Sequence, residues 1–201
     1  RNSETGVMNV VIISENRFVG YLVGYKGEGS YEYCLFDFAD HKVTKITRLD
    51  ALGSKCPVVL KCMNHNLFAI HSYDPLKVLS LNMDEGTNQM VHMQKIFDTD
   101  GCIVVGGTAT YSERDKKYII LLRVEQESIY TYYFWGLLTE RYKLCGLSSP
   151  FRFNENNHGS YELCSSLLVK NDVICASVAI NHETHVYEYL LDMVIKNTLW
   201  T

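Results

Sequence analysis

The sequence has little proline and no long stretch of apolar residues. Its 3 prolines, Pro57, Pro75 and Pro150, all fall in segments with the composition of connections. A missing backbone N–H does no harm there, so proline interrupts none of the strands predicted below. No apolar run approaches the roughly 18 residues that a membrane-spanning helix needs, and we therefore expect no membrane insertion.

Positive charge is also sparse, and it is scattered along the chain. The 19 Lys and Arg residues are outnumbered by 23 Asp and Glu residues, which gives a net charge of −4. Proteins that bind nucleic acids present a clustered basic surface, because most of their affinity comes from phosphate contacts. The sequence contains no basic run, and we expect no nucleic-acid partner.

Cysteine is plentiful, but it follows no pattern typical of metal or redox sites. The 7 cysteines include no Cys-x-x-Cys pair, and their odd number would leave one thiol over in a fully disulfide-bonded protein. Most lie in apolar strand-like runs, as Cys102 and Cys175 do, which predicts buried free thiols. No Asn-x-Ser/Thr glycosylation acceptor occurs. These features slightly favour a cytoplasmic or nuclear protein over a secreted one.

Aromatic and β-branched residues are abundant, and they recur in one order. Four times along the chain, an apolar run ends in a turn, and a further strand follows that is often rich in aromatic residues. A short polar turn then leads to a last strand. The period of roughly 50 residues with about four strands is typical of propeller blades. We therefore predict one all-β domain over residues 1–201, built of four repeats of about four antiparallel strands each. The repeats cover approximately residues 8–50, 57–98, 101–148 and 160–201, and they form a small ring or part of a larger propeller.

The first and last repeats show the pattern most clearly. In the first, the aromatic strand 31–38 is followed by the strand 42–49. In the last, we predict a strand over 185–193 and a final strand over 197–201. The pattern predicts no helix of useful length.

The repeats resemble generic β-propeller blades and, loosely, the units of kelch and F-box-associated domains. The last repeat carries the resemblance best, in residues 165–169, residues 187–192 and Trp200. The pair Gly106-Gly107 is similar to the glycine pair of kelch blades. The resemblance implies a rigid scaffold with binding loops at one rim. It carries over no functional residue.

The densest feature of the sequence is the aromatic run 130–135. In a strand, Tyr130 and Tyr132 face one side, whereas Tyr133 and Trp135 face the other. Apolar residues on both sides predict an inner strand that is buried on both faces. The alternative is a docking or stacking site, because Trp and Tyr dominate such sites, and a solvent-exposed Trp135 would favour it.

Three polar clusters match known motifs only in part. His182 and His185 flank a hairpin tip, but a zinc site needs three or four ligands. Residues 98–101 contain half of a calcium loop, and residues 82–87 loosely resemble the Asp-box turn of sialidase-type propellers. An ordinary turn explains each of them better. We therefore predict no metal, no cofactor and no catalytic residue.

We expect a non-enzymatic module that binds another protein. The candidate binding residues come from the aromatic strand and from two polar loops: Tyr130, Tyr132, Trp135, Arg114, Asn156 and His158. One alternative is a propeller-type glycan-binding or glycan-processing domain, in which arginines or carboxylates would converge on a central funnel around a carbohydrate. The other is a structural segment of a larger multi-subunit assembly, whose open strand edges pair with a partner.

Overall fold

The fold consists almost entirely of β-strands. The computed structural model describes residues 6–24, 30–48, 59–63, 66–71, 77–82, 88–92, 102–126, 130–153 and 162–199. These residues form four antiparallel sheets and one short helix, which confirms the predicted all-β class. The arrangement of the sheets as a propeller stays a prediction. The described part of the chain contains no helix that is long and apolar enough to span a membrane.

The four sheets follow one another along the chain, and within each sheet the strands lie in sequence order. Sheet I consists of β1 (Gly6–Ser14), β2 (Arg17–Gly24), β3 (Ser30–Ala39) and β4 (Lys42–Arg48). Sheet II consists of β5 (Val59–Met63), β6 (Asn66–His71), β7 (Lys77–Asn82) and β8 (Asn88–His92). Sheet III consists of β9 (Cys102–Ser112), β10 (Lys117–Gln126), β11 (Tyr130–Thr139) and β12 (Leu144–Leu147). Sheet IV consists of β13 (Glu162–Lys170), β14 (Val173–Ile180) and β15 (Glu183–Leu190).

The chain divides into two compact units. The first consists of Arg1–His71 and Leu79–Gln89, and the second of Ser72–Val78 and Met90–Thr201. Sheet I belongs to the first unit, whereas sheets III and IV belong to the second. The single domain over residues 1–201 stays a prediction.

In the first unit, sheet I has an apolar row that runs across all four of its strands. Ile12, Phe18, Phe36 and Ile46 are partners in register and therefore share one face. The rings of Phe18 and Phe36 stack with centroids 4.9 Å apart. At the neighbouring register position, Arg17 donates a hydrogen bond to Asp37 over 2.7 Å. Stacking and ion pairing thus fix β2 against β3.

In the second unit, sheets III and IV enclose a common core. Its members are the buried side chains Ile119, Leu121, Tyr133, Trp135, Leu137, Phe153, Cys164, Leu167, Ile174, Ala176, Val178, Ile180, Leu191 and Val194. On β10, Ile119 and Leu121 face this core, while Tyr118, Ile120 and Leu122 on the opposite face are buried as well. β10 is therefore buried on both faces. On the aromatic strand itself, for which this was predicted, Tyr133 and Trp135 are buried, whereas Tyr132 and Phe134 on the other face are partly exposed.

The last repeat differs from its prediction. We predicted strands over 185–193 and 197–201, but β15 ends at Leu190 and is followed directly by helix α1 (Leu191–Thr198). The prediction of no useful helix is wrong at this place. As a result, sheet IV has three strands, whereas each of the other sheets has four.

The side-chain pattern of α1 explains why it forms. Leu191, Val194 and Thr198 are buried and lie at the spacing of one helix face. Asp192 in the first turn and Lys196 in the last turn match the helix dipole in sign. Burial of this face in the core of the second unit favours a helix after Leu190, where the sequence pattern predicted that the strand continues.

Five described cysteines are free thiols. Cys34 and Cys164 are buried, and Cys62, Cys145 and Cys175 are half-buried. The predicted buried thiols are therefore found at two positions. Cys56 and the side chain of Cys102 lie outside the described residues.

Three outer strands each carry a bulge, and the extra residue of each bulge donates the same kind of hydrogen bond. The extra residues are Thr44 on β4, Cys145 on β12 and Ser165 on β13, as the register shifts show. Each side chain donates to a carbonyl of the inner strand, over 3.0 Å from Thr44 Oγ1, 3.4 Å from Cys145 Sγ and 3.2 Å from Ser165 Oγ. A bulge disrupts the ladder locally, and these donors satisfy a carbonyl beside the disruption.

The chain after α1 returns to the free edge of sheet III. Leu199 forms an isolated antiparallel bridge with Gly146 of β12. A Cβ atom on Gly146 would collide with the backbone carbonyl of Thr198. Glycine at this position therefore allows two backbones to approach closely.

This close approach predicts a large difference between two glycine substitutions. Gly146→Ala should lower the free energy of unfolding by about 1–3 kcal/mol, because backbone atoms must move apart to admit the methyl group. Gly106→Ala is the matched control, since a Cβ there meets no atom within 4 Å. Urea denaturation of both variants measures the difference. Equal stabilities for the two variants would contradict the close contact.

Candidate functional site

Trp135 lies in the core of the second unit. It is only 5% exposed, its ring stacks on Phe151 at 5.9 Å between centroids, and the Tyr189 ring meets it edge-on at 5.5 Å. The exposure that would favour a docking role for this residue is not found. Its burial fits the core interpretation of the aromatic run.

Tyr132 lies on the opposite face of β11 and is partly exposed. The guanidinium of Arg152 lies over its ring, 5.1 Å from the centroid, and Arg152 Nε donates a hydrogen bond to the Thr131 carbonyl over 3.1 Å. This cation–π contact stabilises the chain segment after β12 against β11. Tyr130 begins β11, but its side chain lies outside the described residues, as do Asn156 and His158.

Arg114 occupies the tip of the β9–β10 hairpin and contacts three carboxylates. Its distances are 3.2 Å to Asp115, 2.7 Å to Asp172 in the β13–β14 turn and 2.5 Å to Asp192 of α1. The hydrogen bond to Asp115, and then that to Asp192, raises the pKa of Arg114. The side chain thus links sheet III to sheet IV and to the helix, and its donors are directed at intramolecular acids.

Asp115 is held in the same cluster by two donors. Partial burial by itself would raise the pKa of Asp115, but hydrogen bonds from Ser112 and Arg114 outweigh it and leave the pKa below its ordinary value. The Ser112 hydroxyl donates over 2.6 Å. The ionised form of Asp115 is therefore favoured in the folded protein.

Three tyrosines and a glutamate form a further polar cluster on sheet III. Tyr111 donates to Glu140 over 2.8 Å, and the hydroxyls of Tyr118 and Tyr142 lie 3.4 Å apart. Burial, followed by the hydrogen bond to Glu140, raises the pKa of Tyr111 to about 12. Such a tyrosine stays protonated at neutral pH.

His182 lies in a tight hairpin turn. Asn181 and His182 both have positive φ, 49° and 74°, as a two-residue type I′ turn requires. His185 lies 3.8 Å from Glu183 on the following strand. Within the described residues, no group of three or more His, Cys, Asp or Glu side chains is placed to hold a metal ion. The turn geometry explains this cluster.

The arginines with described ion pairs serve local structures within each unit. Arg17 pairs with Asp37 in the first unit. In the second unit, Arg114 serves the hairpin cluster, while Arg123 pairs with Glu125 at 3.1 Å and donates to the Glu162 carbonyl.

The outer face of sheet IV is the most unusual surface of the described chain. Its exposed apolar side chains and their exposed fractions are Leu163 (39%), Leu168 (59%), Val186 (65%) and Leu190 (62%). The register aligns them with Ala179, Cys175, Ser177 and Val173 of β14, so all four project from the same face. The opposite face of β14 is fully buried in the core. We call this surface the outer face of sheet IV.

Charge is rare on the outer face. Lys170 and Glu188 are its charged members at described positions, and Ser166 and Thr184 are its exposed hydroxyl residues. Sequence reasoning did not identify this surface, although a signal exists. In the strand 173–180, Ile, Ala and Val residues of the buried face alternate with Val, Cys, Ser and Ala residues of the outer face. This pattern indicates burial on both faces, but the described residues cover only one of them.

Comparison with known proteins adds no assignment. No protein-family model matches the chain, and no curated protein sequence matches it.

The hairpin turn at His182 yields a stability prediction. His182→Gly should raise the free energy of unfolding by about 0.5–1 kcal/mol, because glycine adopts positive φ without strain and Asn-Gly suits a type I′ turn. His182→Ala is the control and should give no such gain. Urea denaturation with and without zinc measures both. A midpoint that zinc raises in the wild type but not in His182→Gly would contradict the turn interpretation and support a metal site.

The Asp115 cluster yields a prediction for acid. A carboxyl whose folded pKa lies below its ordinary value of 3.8 stabilises the fold above that value and loses this contribution as the pH falls through the folded pKa. Asp115→Asn should therefore be less stable at neutral pH and show a shallower loss of stability between about pH 5 and about pH 2. Urea denaturation over this range tests it. Parallel stability curves for the two proteins would contradict it.

Proposed function

We propose that the protein is a non-enzymatic interaction module and that the outer face of sheet IV docks another protein. The observation that carries the proposal is the exposure of four large apolar side chains on one regular sheet face. Monomeric soluble proteins rarely expose a contiguous apolar patch of this kind unless something binds to it. Burial of such surface contributes roughly 25 cal/mol per Å², so covering it is favourable.

The composition of the face defines the kind of partner. Its centre, around Leu168 and Val186, carries apolar and small side chains, while Lys170 and Glu188 lie among them as single charges of opposite sign. A partner with an apolar and nearly uncharged surface, such as the face of another sheet, complements this arrangement. Cores of protein interfaces are depleted of charge in the same way.

The chemistry of the described side chains is consistent with binding rather than catalysis. Burial is the first cause that raises the pKa of Tyr111 and of Tyr189, each to about 12. The arginine pairs serve local structure. A propeller-like arrangement of the four sheets, with the rim loops as further contacts, is part of the proposal and rests on the repeat pattern. The exposed outer face of sheet IV fits part of a larger propeller better than a closed ring of four blades.

Substitution of an outer-face residue tests the proposal. Proteins that cross-link to the full chain should be identified and purified. Their dissociation constants for the chain should then be measured by titration. Leu168→Asp should weaken the dissociation constant of such a partner by at least about tenfold, because a carboxylate must then be buried in the interface. Stability should change little, by about 0.5 kcal/mol, since the side chain is exposed.

The control introduces an aspartate at an exposed apolar position of another sheet. Ile46→Asp alters an exposed isoleucine of sheet I and should leave binding unchanged. A partner that binds wild type, Leu168→Asp and Ile46→Asp with equal affinity would show that the outer face is not its docking site.

A further inference from the structure

The free edge of β15 is unusually regular. β15 is an outer strand of sheet IV, and within the described residues it pairs only with β14. The pairing runs from Ile180 opposite Glu183 to Val173 opposite Leu190 without a register shift. The outer strands β1, β4, β9, β12 and β13 each contain at least one extra, unpaired residue. The outer strand β5 also pairs without a register shift, but it is only five residues long and contains Lys61.

Proteins protect strand edges from pairing with other chains by bulges, lysines and prolines. β4 shows such protection, with a bulge at Thr44 and the basic residues Lys42, Lys45 and Arg48. β15 contains no bulge, lysine, arginine or proline, and it exposes Val186 and Leu190. Its edge therefore has the properties of a strand that receives another strand.

Among the described residues, sheet IV has three strands, whereas each of the other sheets has four. The residues that follow β15 form α1, whose buried side chains Leu191 and Val194 point into the core. The helix thus takes the chain away from the edge at which the other sheets have their last strand.

We propose that β15 pairs with β15 of a second copy of this chain, antiparallel and centred on Val186, so that two three-stranded sheets become one continuous sheet. A two-fold axis through this position makes the interface self-complementary. It places Val186 opposite Val186, Thr184 opposite Glu188 and His185 opposite Tyr187. No charged side chain then faces one of like sign, which would destabilise a cross-strand pair.

The charge pattern is what favours a second copy as the occupant. Glu183 and Glu188 are the acidic residues of β15, and in this register Glu183 faces Tyr189 and Glu188 faces Thr184. Both glutamates are exposed. Glu183 lies 3.8 Å from His185 of the same strand, so this contact does not involve the neighbouring strand β14. The pairing uses the backbone edge of the sheet and is independent of the docking proposed for its outer face.

Charge substitutions at Thr184 test both the interface and its register. Sedimentation equilibrium of the full chain should show a reversible monomer–dimer equilibrium. Thr184→Glu should weaken dimerisation by roughly tenfold, because two symmetric pairs of like charge are created with Glu188. The double variant Thr184→Glu, Glu188→Lys should restore it, since each pair is then of opposite charge. Thr184→Lys should hold or strengthen the dimer.

Matched controls separate pairing at this edge from a general effect of added charge. Ser166→Glu adds the same charge to the same face on β13, away from the edge, and should leave the dimer unchanged. Leu168→Asp should also dimerise normally, so failure of the outer-face proposal and failure of this one are distinguishable. A wild-type chain that stays monomeric at millimolar concentration would overturn the proposal. Equal effects of Thr184→Glu and Ser166→Glu, or no restoration by the double variant, would overturn it as well.

Discussion

Burial of β10 on both of its faces is the constraint on which the second unit depends. One face, with Ile119 and Leu121, packs against sheet IV, and the other, with Ile120 and Leu122, is equally inaccessible to water. Close approach on that second face requires Gly136 on the neighbouring strand, where a Cβ would lie 2.7 Å from Ile120 Cγ1. A strand this enclosed has little tolerance for changes of volume. Its position therefore fixes β11, and through Trp135 and Tyr133 it fixes the sheet that lies opposite.

The packing that encloses β10 leaves the outer face of sheet IV exposed. Sheet IV turns its alternate residues, Ile174 and Val178 among them, toward sheet III and α1, and the remaining residues of β14 must then face outward. Because those residues are also apolar or small, the sheet has two apolar faces, of which the described residues cover only one. The Arg114 cluster holds this arrangement in place, since it joins the hairpin of sheet III to the β13–β14 turn and to α1. The outer face is thus a direct consequence of how the core is closed.

The sequence predicts the strands well because their signal is local. Aromatic and β-branched runs mark β3, β10, β11 and β14, and the short polar segments between them mark the turns. Helix α1 was missed because Leu190-Leu191 continues an apolar strand pattern, and the burial of Val194 that favours the helix depends on residues far away in the chain. Two of the three carboxylate partners of Arg114 are 58 and 78 residues distant and leave no local pattern. Regular edges and uncovered faces are likewise properties of the assembled sheet and cannot be identified from composition alone.

The two exposed features of sheet IV respond to different physical conditions, and this difference gives each a separate role. Docking of a partner on the outer face is stabilised by burial of apolar surface, which depends weakly on ionic strength. Pairing at the β15 edge is stabilised by backbone hydrogen bonds. Repulsion between glutamates disfavours the registers that place Glu183 and Glu188 opposite each other, and salt screens this repulsion. Val186 contributes to both, through its side chain on the face and its backbone on the edge. Pairing of two edges would place two outer faces side by side in one continuous sheet, so a partner that spans both would bind the dimer more tightly than the monomer.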